Sequence, residues 1–254
     1  MLLNNFPKKD KFLTLTKKYN IVPVCREILA DTETPVSLLK KFYKNKAPVF
    51  LFESVEGGER WGRYSFLGTS AKTHVQIFSQ HVEIKANGKT KTIPHQGDPL
   101  NILKDFMAQF SPAKIPELPR FWGGLVGYLT YEMVSFFEKI PNNLPETSPL
   151  AHFILPDEII IFDNVRNTLL CVIIAFIDDY EDKNQAFDDA VTKIDVMLEK
   201  IKDVFPAIDD NSQSSPSLTP VYNDNDYRKN VKKAKEYILA GDIIQAVVSQ
   251  PFTC

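Results

Sequence analysis

What this chain lacks narrows it before any motif is considered. No run reaches the roughly 18 apolar residues that a membrane helix needs, and candidates such as ILPDEIIIFDN (154–164) are interrupted by charge. The opening MLLNNFPKKDKF lacks the basic region, apolar stretch and small-residue cleavage site that mark a secretory leader. Cysteine is scarce. Cys25, Cys171 and Cys254 are an odd number without metal-ligand spacing, and the first two lie in apolar runs, IVPVC and LLCVIIAFI, where a buried free thiol fits. An excess of one charge is also missing: 30 Lys and Arg stand against 32 Asp and Glu, a net charge of -2, which argues against bulk phosphate binding and therefore against nucleic acid. The expectation is a soluble cytoplasmic protein with neither nucleic acid nor membrane among its partners.

Chemical signatures are sparse too. GGERWG and GGLVG lack the Gly-Lys-Ser/Thr ending of a phosphate loop and the strand and helix that flank G-x-G-x-x-G. His74, His81, His95 and His152 show no paired metal spacing, and the first three fall on or beside alternating segments, where a polar residue on a strand face is the simpler reading. Glu158 and Asp163 flank a strand. Asp178, Asp179, Glu181 and Asp182 read as a solvated acidic turn, and the lysines of 228–235 as a solvated helix face. The residues alone define no catalytic or metal-binding constellation.

What is present is a globular composition, 44% hydrophobic and 24% charged over 254 residues, enough for one large domain or two ordinary ones. VSLLKKFYK (36–44) has Val36, Leu39, Lys40 and Tyr43 at helical spacing, with Thr34 as a cap and Pro35 in the first turn. Residues 72–95 alternate as an antiparallel meander, with Val75, Ile77, Val82 and Ile84 on one side and Asn87-Gly88 at a tight turn. DPLNILKDFMAQF (98–110) predicts a capped helix. In 119–141, three glycines punctuate an aromatic stretch, marking a bulge or a close backbone approach, and a further amphipathic helix is expected from about Tyr131. Two strands are expected in 157–176, and a helix in 184–205 with Phe187, Ala190, Val191, Ile194, Met197, Leu198 and Ile201 inward.

PAIDDNSQSSPSLTP (206–220) holds too little apolar matter to pack. Beyond it, 224–242 predicts a helix with Tyr227, Val231, Ala234 and Ile238 inward and Gly241 as its stop, and IIQAVVSQPFTC reads as a strand. The fold class is therefore α+β, antiparallel sheets flanked by helices.

One stretch carries more specific chemistry. VFLFESVEGGERWGRYSFLG (49–68) is a hairpin whose first strand ends on Glu53 and Ser54 and whose return strand carries Arg63. A strand-end carboxylate can hold an ammonium, the hydroxyl can add a directional hydrogen bond, and the arginine can tune the carboxylate or meet an anion. The same residues also suit an ordinary hairpin end.

Four segments resemble anthranilate synthase component I, in that family's order: FLFESVEGGERWGRYSFLG (50–68), FWGGLVGYLTYEMV (121–134), PDEIIIFDNVRNTL (156–169) and YRKNVKKAKEYILAGDIIQAVVSQ (227–250). The resemblance spans nearly all of this chain but only about the first half of the family's usual length. It implies the N-terminal part of the two-sheet α/β sandwich of chorismate-utilising enzymes. On that reading 1–205 is a regulatory, tryptophan-binding domain, 206–222 a linker or surface loop, and 223–254 the start of the chorismate-binding domain.

The implied activity makes anthranilate and pyruvate from chorismate and ammonia, with Mg²⁺ and a glutamine amidotransferase subunit, component II, as partner. The family's metal ligands and catalytic histidine belong to its second half, so the chain alone is expected to be inactive. Glu53 and Ser54 match the Glu-Ser of the family's L-tryptophan inhibitor pocket, and Arg63 stands at a basic position on the returning strand. Two departures are Pro251, where a basic residue is usual, and Thr130, where glycine is common. The alternatives are the related aminodeoxychorismate synthase component I and a stand-alone tryptophan-binding or subunit-interaction module.

Overall fold

The computed structural model describes residues 2–43, 50–53, 62–142, 144–203 and 217–253. By internal contacts the chain divides into two units, Met1–Pro206 and Ala207–Cys254. In chain order the first unit contains α1 (Lys9–Leu15), β1 (Ile21–Leu29), α2 (Pro35–Phe42), β2 (Phe50–Phe52), β3 (Tyr64–Gly68), β4 (Thr73–Ile77), β5 (His81–Ala86), β6 (Lys89–Pro94) and α3 (Pro99–Ala108). Then follow β7 (Val126–Leu129), a 3-10 segment (Tyr131–Phe136), β8 (Ala151–Leu155), β9 (Glu158–Asp163), β10 (Thr168–Phe176) and α4 (Lys183–Lys202). The strands form two antiparallel five-stranded sheets, ordered β1-β10-β9-β3-β2 and β6-β5-β4-β8-β7. This is the α+β arrangement the sequence predicts.

Most elements follow from local chemistry. Thr34 caps α2 reciprocally with Ser37, and Pro35 opens the helix. Asp98 caps α3 through the Asn101 amide, and Asn87 and Gly88 take the positive φ angles of the β5–β6 turn. On α4, Phe187, Ala190, Ile194, Met197 and Ile201 are buried at helical spacing, as the periodicity predicts. The acidic turn before α4 does more than meet solvent: Asp182 caps the helix through the Asn184 amide, and Asp178 accepts from Asn20 Nδ2 at 2.9 Å.

Several expectations are corrected. Helix α2 buries Leu38 and Phe42, while Val36 and Tyr43 are exposed, because the sheet lies on the side of the i, i+4 pair rather than of the other apolar positions. The helix expected from Tyr131 is a single 3-10 segment that buries only Met133. Its aromatic and β-branched residues are weak helix formers, and Thr130 makes no side-chain cap. Pro23 interrupts the strand pattern of β1 in the sequence. The structure accommodates that proline on an edge strand, where one side of the ladder needs no donor.

In the second unit, β11 (Thr219–Pro220), α5 (Asp224–Ala240) and β12 (Phe252–Thr253) are ordered around one short ladder. Gly241 ends α5 in the left-handed conformation, as expected. The basic residues of 228–235 are exposed, but the predicted inward face is not buried: Tyr227, Val231 and Ala234 are half-buried and Ile238 is exposed. Only Phe252 and Thr253 of the expected last strand pair, because two residues of β11 are all the partner edge supplied among the described residues.

Glycine does mark a close backbone approach. A Cβ on Gly127 would lie 2.0 Å from the His152 carbonyl oxygen across the β7–β8 pair, and backbone cannot yield as a flexible side chain can. Gly127→Ala is therefore expected to cost about 2–4 kcal/mol in urea unfolding. A loss below about 0.5 kcal/mol would show that β7 pairs in another register.

Candidate functional site

Strand β2 is one edge of the first sheet and β7 one edge of the second, and a cavity of about 450 Å³ lies where they approach. Phe52, Tyr64 and Phe66 come from the first sheet, Phe153 from the second, and Phe121 from the chain leading into β7. Glu53, exposed at the end of β2, is the acidic residue of the lining among the described residues. Phe66 and Phe121 meet edge to face with centroids 5.1 Å apart, and Tyr64 lies 6.2 Å from Phe66. Burial pushes the Tyr64 phenol above its ordinary range, with Arg63 opposing, so it stays a neutral donor. An aromatic wall with one carboxylate at its lip suits a flat apolar body carrying an ammonium group.

Of the three residues singled out from the sequence, Glu53 lines this cavity and Ser54 lies outside the described residues. Arg63 is engaged elsewhere. Its Nε donates to both Asp163 carboxylate oxygens at 3.1 and 3.2 Å, and one Nη donates at 2.7 Å. The guanidinium also lies 4.8 Å from the centre of the Tyr64 ring. Asp163 further accepts from the amides of Val165 and Arg166, both at 3.1 Å, so this one carboxylate joins β3 to the β9–β10 turn. Burial raises its pKa, but the Arg63 and amide hydrogen bonds outweigh that and hold it below the usual carboxylate range. Tyr64 and Phe66 could have been found in the sequence, being two apart on a strand and so on one face. Phe121 and Phe153 had no such signal, because only the approach of the two sheet edges at the cavity brings them near.

Two histidines separated by 78 residues also come together: His74 Nδ1 lies 3.1 Å from His152 Nε2 across β4 and β8. Burial holds both imidazoles below their ordinary value of 6.5, and Lys85 on β5 adds to the shift. Cys25 and Cys171 are buried free thiols, each pushed up to about 12 chiefly by desolvation. Among the described residues, no three His, Cys, Asp or Glu side chains gather as metal ligands, and no helix is long and apolar enough to cross a membrane.

With two antiparallel sheets and an aromatic cavity where their edges approach in view, comparison supplies the class. Residues 50–254 match the family model described as chorismate binding enzyme, and the chain belongs to that family. Anthranilate synthase component 1 of Acetivibrio thermocellus is 35% identical over 256 residues, covering 96% of this chain and 51% of the relative. The protein of the same name from Aquifex aeolicus (strain VF5) is 34% identical over 245 residues, covering 94% of this chain and 49% of the relative. The crystal structure of anthranilate synthase component I from Streptococcus pneumoniae TIGR4 shares the fold, with a TM-score of 0.59 at 23% identity, over 89% of this chain and 48% of that one. The chain thus spans about half the length of the relatives it matches.

Two outcomes follow from this geometry. Asp163→Ala strands the Arg63 charge and two amides, and is expected to destabilise by about 2–3 kcal/mol in urea, against about 1 kcal/mol for Arg63→Met. Equal costs would mean that the amide bonds contribute nothing. Because the folded state lowers both imidazole pKa values, the unfolded chain binds more protons below about pH 6.5 and stability falls with acid there. His152→Gln should flatten that fall between about pH 7 and about pH 5.5, and an unchanged slope of urea midpoint against pH would refute the assignment.

Proposed function

We propose that this chain is the N-terminal half of component I of an anthranilate synthase, which makes anthranilate and pyruvate from chorismate and ammonia in tryptophan biosynthesis. On this proposal ammonia comes from a glutamine amidotransferase partner, and the cavity at the end of β2 is the feedback site for L-tryptophan. The observation that supports it most is that Glu53 stands at the mouth of an aromatic cavity, in the hairpin whose Glu-Ser and Arg-Tyr-Ser pairings resemble the family's. In this reading Glu53 holds the ammonium, Tyr64, Phe66 and Phe121 receive the indole, and Ser54 adds a hydrogen bond. Arg63 acts at one remove: by holding Asp163 it fixes the β3 end from which Tyr64 projects. Residues 1–205 are then the regulatory domain, and 223–254 open the chorismate-binding domain.

The family's chemistry implies Mg²⁺, which polarises the substrate's carboxylate when bound. No ligand set for it is gathered among the described residues, so none of the groups described above is assigned to the metal. The contribution of this chain is recognition: a carboxylate placed for an ammonium, and rings that exclude water around an apolar body.

Calorimetry on the 254-residue chain tests the reading. L-tryptophan is expected to bind weakly, with Kd on the order of 1 mM, since one chain's part of the wall must offset the whole ordering cost. Glu53→Gln should weaken it about fivefold. No heat up to about 20 mM ligand would overturn the tryptophan assignment. Anthranilate fluorescence from the chain with chorismate, ammonium and Mg²⁺ is expected to stay at background, and turnover would overturn the assignment of catalysis to the other half.

A further inference from the structure

A second and larger cavity, about 560 Å³, opens beside the first between the C-terminal end of α3, the 112–124 segment and β10. Its wall is apolar, formed chiefly by Ile21, Met107, Phe110, Trp122, Ile174 and Phe176. Phe110 and Phe176 meet edge to face at 5.9 Å, so ring edges and faces are both presented by a fixed wall. Gly123 keeps it open, since a Cβ there would lie 2.8 Å from Ile174 Cδ1.

Among the described residues the charged members of the lining are Lys114 and Arg120, both exposed and both cationic, with no acid beside them in the lining. Among the described residues neither makes an ion pair; the nearby Glu117 is 3.6 Å from Lys11 instead. The smaller cavity differs: among the described residues its lining carries the Glu53 carboxylate and no cation. The stretch 121–125 contributes to both, Phe121 and Leu125 to the smaller and Trp122, Gly123 and Gly124 to the larger.

We propose that the larger cavity is a second small-molecule site, for an aromatic monocarboxylate whose ring enters between Trp122, Phe110 and Phe176 while its carboxylate remains at the mouth with Arg120 and Lys114. The volume lies in the range of pockets that enclose small ligands, and an aromatic ring against this apolar wall gains dispersion contacts. Arg120 can offer two parallel donors to a carboxylate, and Lys114 adds a second positive charge. A zwitterionic amino acid gains less here, because its ammonium would face these two cations. That difference separates the ligand class of this cavity from that of the Glu53 site.

The test is titration of the 254-residue chain with 4-phenylbutyrate and with the neutral 4-phenylbutanol, followed by calorimetry and by Trp fluorescence. Both are expected to bind, the carboxylate more tightly. The double variant Lys114→Gln/Arg120→Gln, which changes exposed side chains only, should weaken phenylbutyrate about fivefold and leave phenylbutanol within about twofold. Glu53→Gln should alter neither, which keeps this result independent of the tryptophan reading. The proposal is overturned if phenylbutyrate shows no saturation by about 10 mM, if the double variant binds it as well as the parent chain, or if Glu53→Gln weakens it as the double variant does.

Discussion

Strand β10 is buried at all nine of its positions, and the first unit is arranged to keep it so. An antiparallel strand normally offers one face to water; TLLCVIIAF offers neither, which is why it reads as a continuous apolar run rather than an alternation. Its backbone groups are met on both sides, by β1 from Ile21↔Phe176 to Leu29↔Thr168 and by β9 from Thr168↔Asp163 to Ile173↔Glu158. Its two faces then need separate cover. Helix α4 supplies one: Arg26, paired with Cys171, reaches Asp195 on that helix at 2.6 Å. The opposite face carries Ile174 and Phe176, and beyond Ile174 lies the larger cavity. Each aliphatic residue so buried contributes about 1.5–3 kcal/mol relative to exposure, so the strand's position is held strongly.

Polar groups fix the end of the sheet near the β9–β10 turn. Glu27, buried, accepts from Thr168 Oγ1 at 2.9 Å and from the Leu3 amide at 3.1 Å, and pairs with Arg166 at 2.7 Å. One turn away, Asp163 gathers Arg63 and two amides. A buried carboxylate is costly unless its lone pairs are filled, and both are filled by groups from different segments, so each network locks segments together. The candidate site inherits that rigidity, because Tyr64 pairs with Asp163 in the β3–β9 ladder and its ring lines the smaller cavity. Binding surfaces placed on such fixed strands need little reordering when occupied.

Composition and period made much of this legible. The caps at Thr34, Asp98 and Gly241, the Asn87-Gly88 turn and the buried stripe of α4 are local rules obeyed locally. Failures cluster where tertiary context overrides pattern. Pro23 disguises β1 until the strand is seen at an edge, the Tyr131 segment loses its helix for want of a cap, and α2 buries Leu38 and Phe42 rather than the face its spacing favours. The site divides in the same way. Glu53 could be picked out from the residues and from the resemblance, whereas Phe121 and Phe153 could not, and Arg63, chosen for its charge, is held by a partner 100 residues away.

The sequence by itself determined the α+β class, the positions of most helices and turns, the free character of the two buried thiols and the family to which the four ordered motifs point. Those properties depend on composition, on periods of two and 3.6, and on residues within a few positions of one another. Only the tertiary structure decided which carboxylate meets which cation, that His74 and His152 adjoin, and that the 121–125 stretch contributes to two cavities, one with Glu53 and the other with Lys114 and Arg120 in its described lining. These are contacts between strands far apart in the chain. Their energies depend on register and burial, which no local pattern encodes.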